Sequence, residues 1–91
     1  MEFEWDEPKA QRNLRAHGVD FREARTVFDD PLVMLKRDEG HSHDEERFIL
    51  LGRSEQGQTL VTIFAERGSR FRIISSRRAT PREVRSYEKG V

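Results

Sequence analysis

Three apolar runs between Arg47 and Arg77 constrain this chain most. Arg47 to Arg53, Gln58 to Ala65 and Ser69 to Arg77 each read as a strand, and turns at Glu55-Gln56-Gly57 and Arg67-Gly68 separate them. Strands joined by turns this short pair as successive antiparallel hairpins. A meander of that kind needs helices from elsewhere in the chain to cover a face. Little apolar material is left for them. The hydrophobic fraction is 34% against 37% charged, so a single domain over residues 1–91 builds a thin core.

The flanking segments supply the cover. Phe3-Glu4-Trp5 alternates like a short strand. Asp6 is placed to cap a helix that runs to about His17, with Glu7 and Pro8 in its first turn and Gly18 as its left-handed stop. Ala10, Leu14 and His17 share one face of it. Asp20 starts a second helix, Glu23 completes a capping-box-like pair, and Phe21, Ala24, Val27 and Phe28 form the stripe. The link between the two is short, so they form a helix hairpin, which Asp29-Asp30-Pro31 ends. Leu32 to Leu35 is a further short strand, and Lys36 to Glu46 reads as an exposed loop. Thr80-Pro81-Arg82-Glu83 marks the start of a last helix. Its apolar stripe is only Val84, Tyr87 and Val91, which suits loose docking or cover by another molecule. The expected fold is α+β in two layers: an antiparallel sheet with the N-terminal helix hairpin on one face and a C-terminal helix. The other sheet face is left for a partner or substrate.

The charges sum to zero but are segregated. Residues 1–46 hold thirteen acidic and seven basic side chains, and residues 67–91 hold two acidic and eight basic. An anion would bind in the C-terminal quarter. Without cysteine there is no disulfide framework, thiolate zinc site or cysteine nucleophile. No run reaches the roughly 20 apolar residues of a membrane span. Met1 to Asp6 lacks the pattern of a signal peptide, so the expectation is a cytoplasmic protein with no membrane association. Glycine-rich phosphate loops, serine elbows and His-Glu-x-x-His are all missing.

Several side chains can carry chemistry, each beside a plainer reading. Strict alternation puts Arg70 and Arg72 on one face of the third meander strand, with Ile74 and Ser76, and Phe71, Ile73, Ser75 and Arg77 on the other. Arg47 and Arg53 share a face of what reads as an adjacent strand. Arginine forks match phosphate, although a solvated strand face is the plainer account. His17 suits the helix dipole before its glycine stop, or acts as an acid or base. His41-Ser42-His43-Asp44 has the spacing of metal ligands, but no third histidine or cysteine closes a site, and it reads as a loop; no metal or cofactor is expected. Trp5 reads as core before it reads as a stacking platform. Glu83 and Tyr87 lie one helical turn apart, just after Arg77 and Arg78. They are either a capping box and an apolar stripe, or an acid–base pair beside a phosphate-binding arginine.

A family pattern runs through most of the chain. Phe3-Glu-Trp-Asp6, Lys9, Asn13, His17-Gly18-Val19, Phe21, Ala24, Val27-Phe28-Asp29-Asp30 and Pro31 follow in order. Glu46-Arg47-Phe48, Gly52, Arg72-Ile-Ile-Ser-Ser-Arg77, Ala79-Thr80, Glu83 and Tyr87 complete the set. This resembles the BrnT toxins of bacterial type II toxin–antitoxin modules, from Phe3 to Glu88. Where that family reads Ile-Ile-Ser-Ala-Arg-Lys-Ala, this chain has Ser76 and Arg78, which keep size and charge. The resemblance implies a RelE-like fold and RNA cleavage without metal, arresting translation and growth. It also implies a BrnA-like antitoxin that binds the toxin and reaches operator DNA through its own domain. Under that reading Arg47, Arg72 and Arg77 form the phosphate clamp, and Lys9, His17, Glu83 and Tyr87 are the acid–base candidates. From another class, the alternative is a non-catalytic binding module or inactive homologue whose basic segment holds nucleic acid or an acidic protein.

Overall fold

A computed structural model of the chain describes residues 1–41 and 45–90; His43 and Asp44, and with them the histidine pattern, lie outside the described residues. The order is β1 (Glu2–Glu4), α1 (Glu7–His17), α2 (Phe21–Thr26), β2 (Met34–Arg37), β3 (Arg47–Arg53), β4 (Thr59–Arg67), β5 (Arg70–Arg78) and α3 (Pro81–Lys89). A single 3₁₀ turn, Val27–Asp29, extends α2, and another, Glu39–His41, follows β2. The strands form one five-stranded sheet in the order β1-β5-β4-β3-β2.

The meander is as expected: β3 to β5 pair antiparallel, and β2 adds to β3. The sheet is nevertheless mixed. β1 lies parallel to β5, matching Glu2 with Arg70 and Glu4 with Arg72. Alternation identifies a strand but not its neighbour, and here an acidic strand settles against a basic one. β2 begins two residues later than expected, so Lys36 and Arg37 belong to the edge strand rather than the loop.

The α1–α2 hairpin covers one face. Val19, Phe21, Ala24 and Val27 are fully buried, against Leu50, Leu60, Phe64 and Ile73 of the sheet. Burying a side chain the size of Phe21 contributes about 2–3 kcal/mol. Phe28 lies half-buried at the centre, with its ring 4.7 Å from Phe3 and 4.9 Å from Phe64. Gly52 lets the layers approach: a Cβ there would stand 2.8 Å from Val27 and 2.9 Å from Val33. Trp5 packs edge-on to Phe21 at the margin of this core, and its Nε1 donates to Glu7.

Local signals at the helix starts hold with one exception. Asp6 accepts from the Lys9 amide, and Thr80 and Glu83 close a full capping box. Asp20 accepts from the Arg22 amide instead, and Glu23 turns away to bind Ser54 and Gln58. The face of α1 also differs from expectation. Leu14 and His17 are exposed, and Asn13 is buried beside Ala10. A polar residue occupies a core position because its hydrogen bonds are satisfied there.

The second face of the sheet is not wholly free. α3 lies across one end of it, where Glu83 and Ser86 stand beside Ile49, Leu51 and Arg77. No residue of α3 is buried.

Candidate functional site

A β-bulge determines which arginines share a face. Ile63 pairs with Ser75 but Phe64 pairs with Ile73, so Ile74 has no opposite residue. One extra residue reverses the alternation beyond it. Ile73 and Ser76 therefore both turn toward the helix hairpin, where both are buried. Arg70, Arg72, Ser75 and Arg77 all turn to the second face. Strict alternation had separated Arg72 from Arg77; the bulge reunites them.

On this face a cavity of about 570 Å³ opens between α3 and the sheet. Its floor is aliphatic, from Met34, Ile49, Leu51, Val61 and Ile63. Ser75, Arg77 and Glu83 line one side, and His17 and Lys36 also border it. Arg77 reaches in from β5, and Glu83 holds it as a fork: Nη1 donates to Oε1 at 2.8 Å and Nη2 to Oε2 at 2.9 Å. The Thr80 amide also donates to Glu83 Oε1, at 2.8 Å. The Arg77 guanidinium, with help from Thr80, lowers the Glu83 carboxyl to about 2. The same pair raises Arg77 above its ordinary value. Glu83 is thus a carboxylate at neutral pH with its oxygens engaged. Such a group fixes an arginine well and carries protons poorly.

His17 stands exposed in the last turn of α1, before Gly18 at φ 69°. The turn brings it to the same cavity as Arg77, although the two are 60 residues apart in sequence. Tyr87 is directed elsewhere. Its hydroxyl donates to Asp30 Oδ2 at 2.6 Å, and the Arg53 guanidinium lies 5.8 Å from its ring centre. The bond to Asp30 raises the phenol above its ordinary value. Burial pushes Asp30 up, but the hydrogen bonds from Tyr87 and from the Arg53 and Leu32 amides leave it below the usual range. These groups border a separate hollow of about 340 Å³.

The remaining candidates lie apart. Lys9 is exposed on α1, two turns before His17 and roughly 12 Å along the axis. Arg47 and Arg72 flank Ala65 in one cross-strand row, because β4 separates β3 from β5; they are not on adjacent strands. That row is five residues from Arg77 along β5, roughly 16 Å. Arg72 is bonded to Glu4 at 3.0 Å and holds that carboxyl below its usual range, while Arg47 lies 3.9 Å from Glu45. The three arginines share a face but do not converge on one phosphate. Sequence reasoning missed Lys36 and Ser75 at the cavity. A bulge carries no signal that would have pointed to Ser75.

Among the described residues, no three histidine, aspartate or glutamate side chains group as metal ligands. No helix among them is long and apolar enough to cross a membrane.

Comparison with known proteins gives this geometry a context. Residues 5–83 match the family model described as "Ribonuclease toxin, BrnT, of type II toxin-antitoxin system". No curated protein sequence matches the chain. Among solved structures, the chain is similar to the ribonuclease toxin BrnT of Brucella abortus, known from a crystal structure at 1.1 Å, with a TM-score of 0.68 and 26% identity. The match covers 88% of this chain and 97% of that one. With the family model matching from Trp5, just past the first strand, into the last helix, and the same fold in a solved member, the chain belongs to the BrnT family of ribonuclease toxins of type II toxin–antitoxin systems.

Proposed function

We propose that this chain is an endoribonuclease whose catalytic centre is the cavity between α3 and the sheet. The observation that carries this reading is the pairing of a fixed cation, Arg77 in the grip of Glu83, with an exposed imidazole, His17, at one cavity. RNA supplies its own nucleophile. The 2′-hydroxyl loses its proton to a base and attacks the adjacent phosphorus. The P–O5′ bond breaks and the 5′-oxygen takes up a proton, leaving a 2′,3′-cyclic phosphate. Charge builds on the phosphoryl oxygens in between, and a preorganised guanidinium stabilises it. Arg77 can do so without a metal, and Glu83 removes the need to reorganise it.

Histidine exchanges protons near neutrality, which favours His17 over the other acid–base candidates. Glu83 is locked as a carboxylate, the Tyr87 hydroxyl is engaged as a hydrogen-bond donor to Asp30, and Lys9 is two turns away. Arg47 and Arg72 fit a neighbouring phosphate of the same strand. In the cell the protein would be cytoplasmic and held by a BrnA-like antitoxin, with operator DNA bound only through that partner.

The test is cleavage of single-stranded RNA by the purified protein in the presence of a chelator. Expected are a cyclic phosphate end in wild type and a loss of about 10²-fold or more in both His17→Ala and Arg77→Ala, each folded by circular dichroism. Undiminished cleavage by His17→Ala would overturn its role, and cleavage abolished by the chelator would overturn the metal-free reading. RNA retained but never cut by the wild type would make the chain a binding module.

A further inference from the structure

The sheet has a gap at its edge, and one side chain fills it. β1 pairs with β5 only over Arg70–Arg72. Among the described residues no strand lies beside the outer edge of β5 beyond Arg72, although Ser76 is 1% exposed. Water cannot reach the Ser76 backbone there, so its polar groups need a protein partner. Asn13 provides it. Its Nδ2 donates to the Ser76 carbonyl at 2.8 Å, and the Ser76 amide donates to its Oδ1 at 3.1 Å. A carboxamide has the donor and acceptor of a peptide group, so Asn13 takes the place of a residue in a missing strand. Its Nδ2 also donates to the Val19 carbonyl at 3.0 Å, just past the end of α1.

These three bonds join two places. Asn13 is one helical turn before His17, and the bond to Val19 spans the turn that carries His17 and Gly18. Ser76 immediately precedes Arg77. No other hydrogen bond described between α1 and β5 joins these segments. Ser76 has a third buried bond, between its hydroxyl and that of Thr62 at 2.9 Å, which runs to β4 and away from His17.

We infer that Asn13 is a positioning residue, setting His17 and Arg77 at a fixed separation by gripping the Ser76 backbone and the Val19 carbonyl together. It touches neither substrate nor reacting atoms. The inference rests on the ribonuclease reading for its kinetic consequence, but not for its structural one. A misplacement of about 1 Å between catalytic groups costs on the order of 10²-fold. Asn13→Asp keeps the side-chain volume and the acceptor for the Ser76 amide, but sets an oxygen against two carbonyls. Thr62→Val is the control, because it removes the other buried bond to Ser76 while leaving the Asn13 grip in place.

The experiment measures kcat and KM on RNA, melting temperature and amide spectra for wild type and both variants. Expected are a lower melting temperature in both, a kcat at least tenfold lower in Asn13→Asp with KM within about threefold, and a kcat near wild type in Thr62→Val. In the amide spectra, His17, Gly18 and Arg77 shift together in Asn13→Asp and stay in place in Thr62→Val. A folded Asn13→Asp with wild-type kcat overturns the inference, as do equal kcat losses in the two variants. Should the wild type cut no RNA, the ribonuclease reading falls and the spectra decide alone: unmoved His17 and Arg77 signals overturn the positioning role. Should Asn13→Asp not fold, Asn13→Ser is measured in its place against the same two outcomes.

Discussion

At the scale of the residue, Glu83 holds two pieces of structure with one carboxylate. It closes the capping box with Thr80 and grips Arg77 with both oxygens. Its folded value of about 2 lies below the ordinary 4.5, so the carboxylate stabilises the fold above about pH 4.5. That contribution falls away as pH drops from there toward 2. A gap that size would amount to about 3 kcal/mol for a buried group. Here the side chains are 32% and 43% exposed, and screening brings it nearer 1 kcal/mol. Glu83→Gln should therefore lower the urea midpoint at pH 7, and its difference from wild type should hold at pH 5 and shrink at pH 3. A difference that held constant with pH would show that the carboxylate's charge is not what ties α3 to β5.

At the scale of the element, α3 is lightly secured, the one α-helix among the described residues with no buried residue. A helix of nine residues is marginal alone, and this one buries no side chain to compensate. It is held by Arg77–Glu83 at its start and by the Tyr87 bond to Asp30 in its second half. Tyr87→Phe removes the second tie at a cost of about 1–2 kcal/mol. Amide exchange over residues 84–89 should then quicken about tenfold, with β4 unchanged. Exchange that quickened equally in both would mean α3 unfolds only with the whole domain. The start of α3 was legible in Thr80-Pro81-Arg82-Glu83 because a capping box is a local device. Its face was not, since a stripe of Val84 and Tyr87 points to no particular surface. The same divide runs through the sheet. The meander strands announce themselves by alternation and turns, whereas the parallel partner of β1 is chosen over nearly 70 residues of sequence. Ile74 looks like any strand residue, so its bulge, which puts Arg77 beside the aliphatic floor, leaves no mark in the sequence. Residue type and the family resemblance together nominated Lys9, His17, Arg47, Arg72, Arg77, Glu83 and Tyr87; the fold brings only His17, Arg77 and Glu83 to one cavity. Asn13 stood in the family pattern without a role, because a buried amide reads as surface until the unpaired edge of β5 is seen.

At the scale of the whole molecule, the segregated charges fold onto one another. The acidic N-terminal segment places Glu2 and Glu4 against Arg70 and Arg72, and Glu45 reaches Arg67. Three of the eight cations of the basic quarter, Arg67, Arg70 and Arg72, are thereby paired with the acidic half, and the cavity presents chiefly Arg77 and Lys36 to an anion. Each phosphate neutralised on a single strand contributes about −0.7 to the slope of log K against log salt. About two contacts predict a slope near −1.4, whereas eight open cations would give about −5.6. Fluorescence anisotropy with a 2′-O-methyl RNA, which cannot supply the nucleophile, measures the slope without cleavage. A shallow slope means the ion pairs persist and RNA is held by geometry at the cavity. A slope near −3.5, the value for about five contacts, means RNA displaces the carboxylates along the sheet, and Arg47, Arg70 and Arg72 then act as one track with Arg77 and Lys36. The bulge permits that second arrangement by setting all of them on one face; the carboxylates opposite them determine whether it is used.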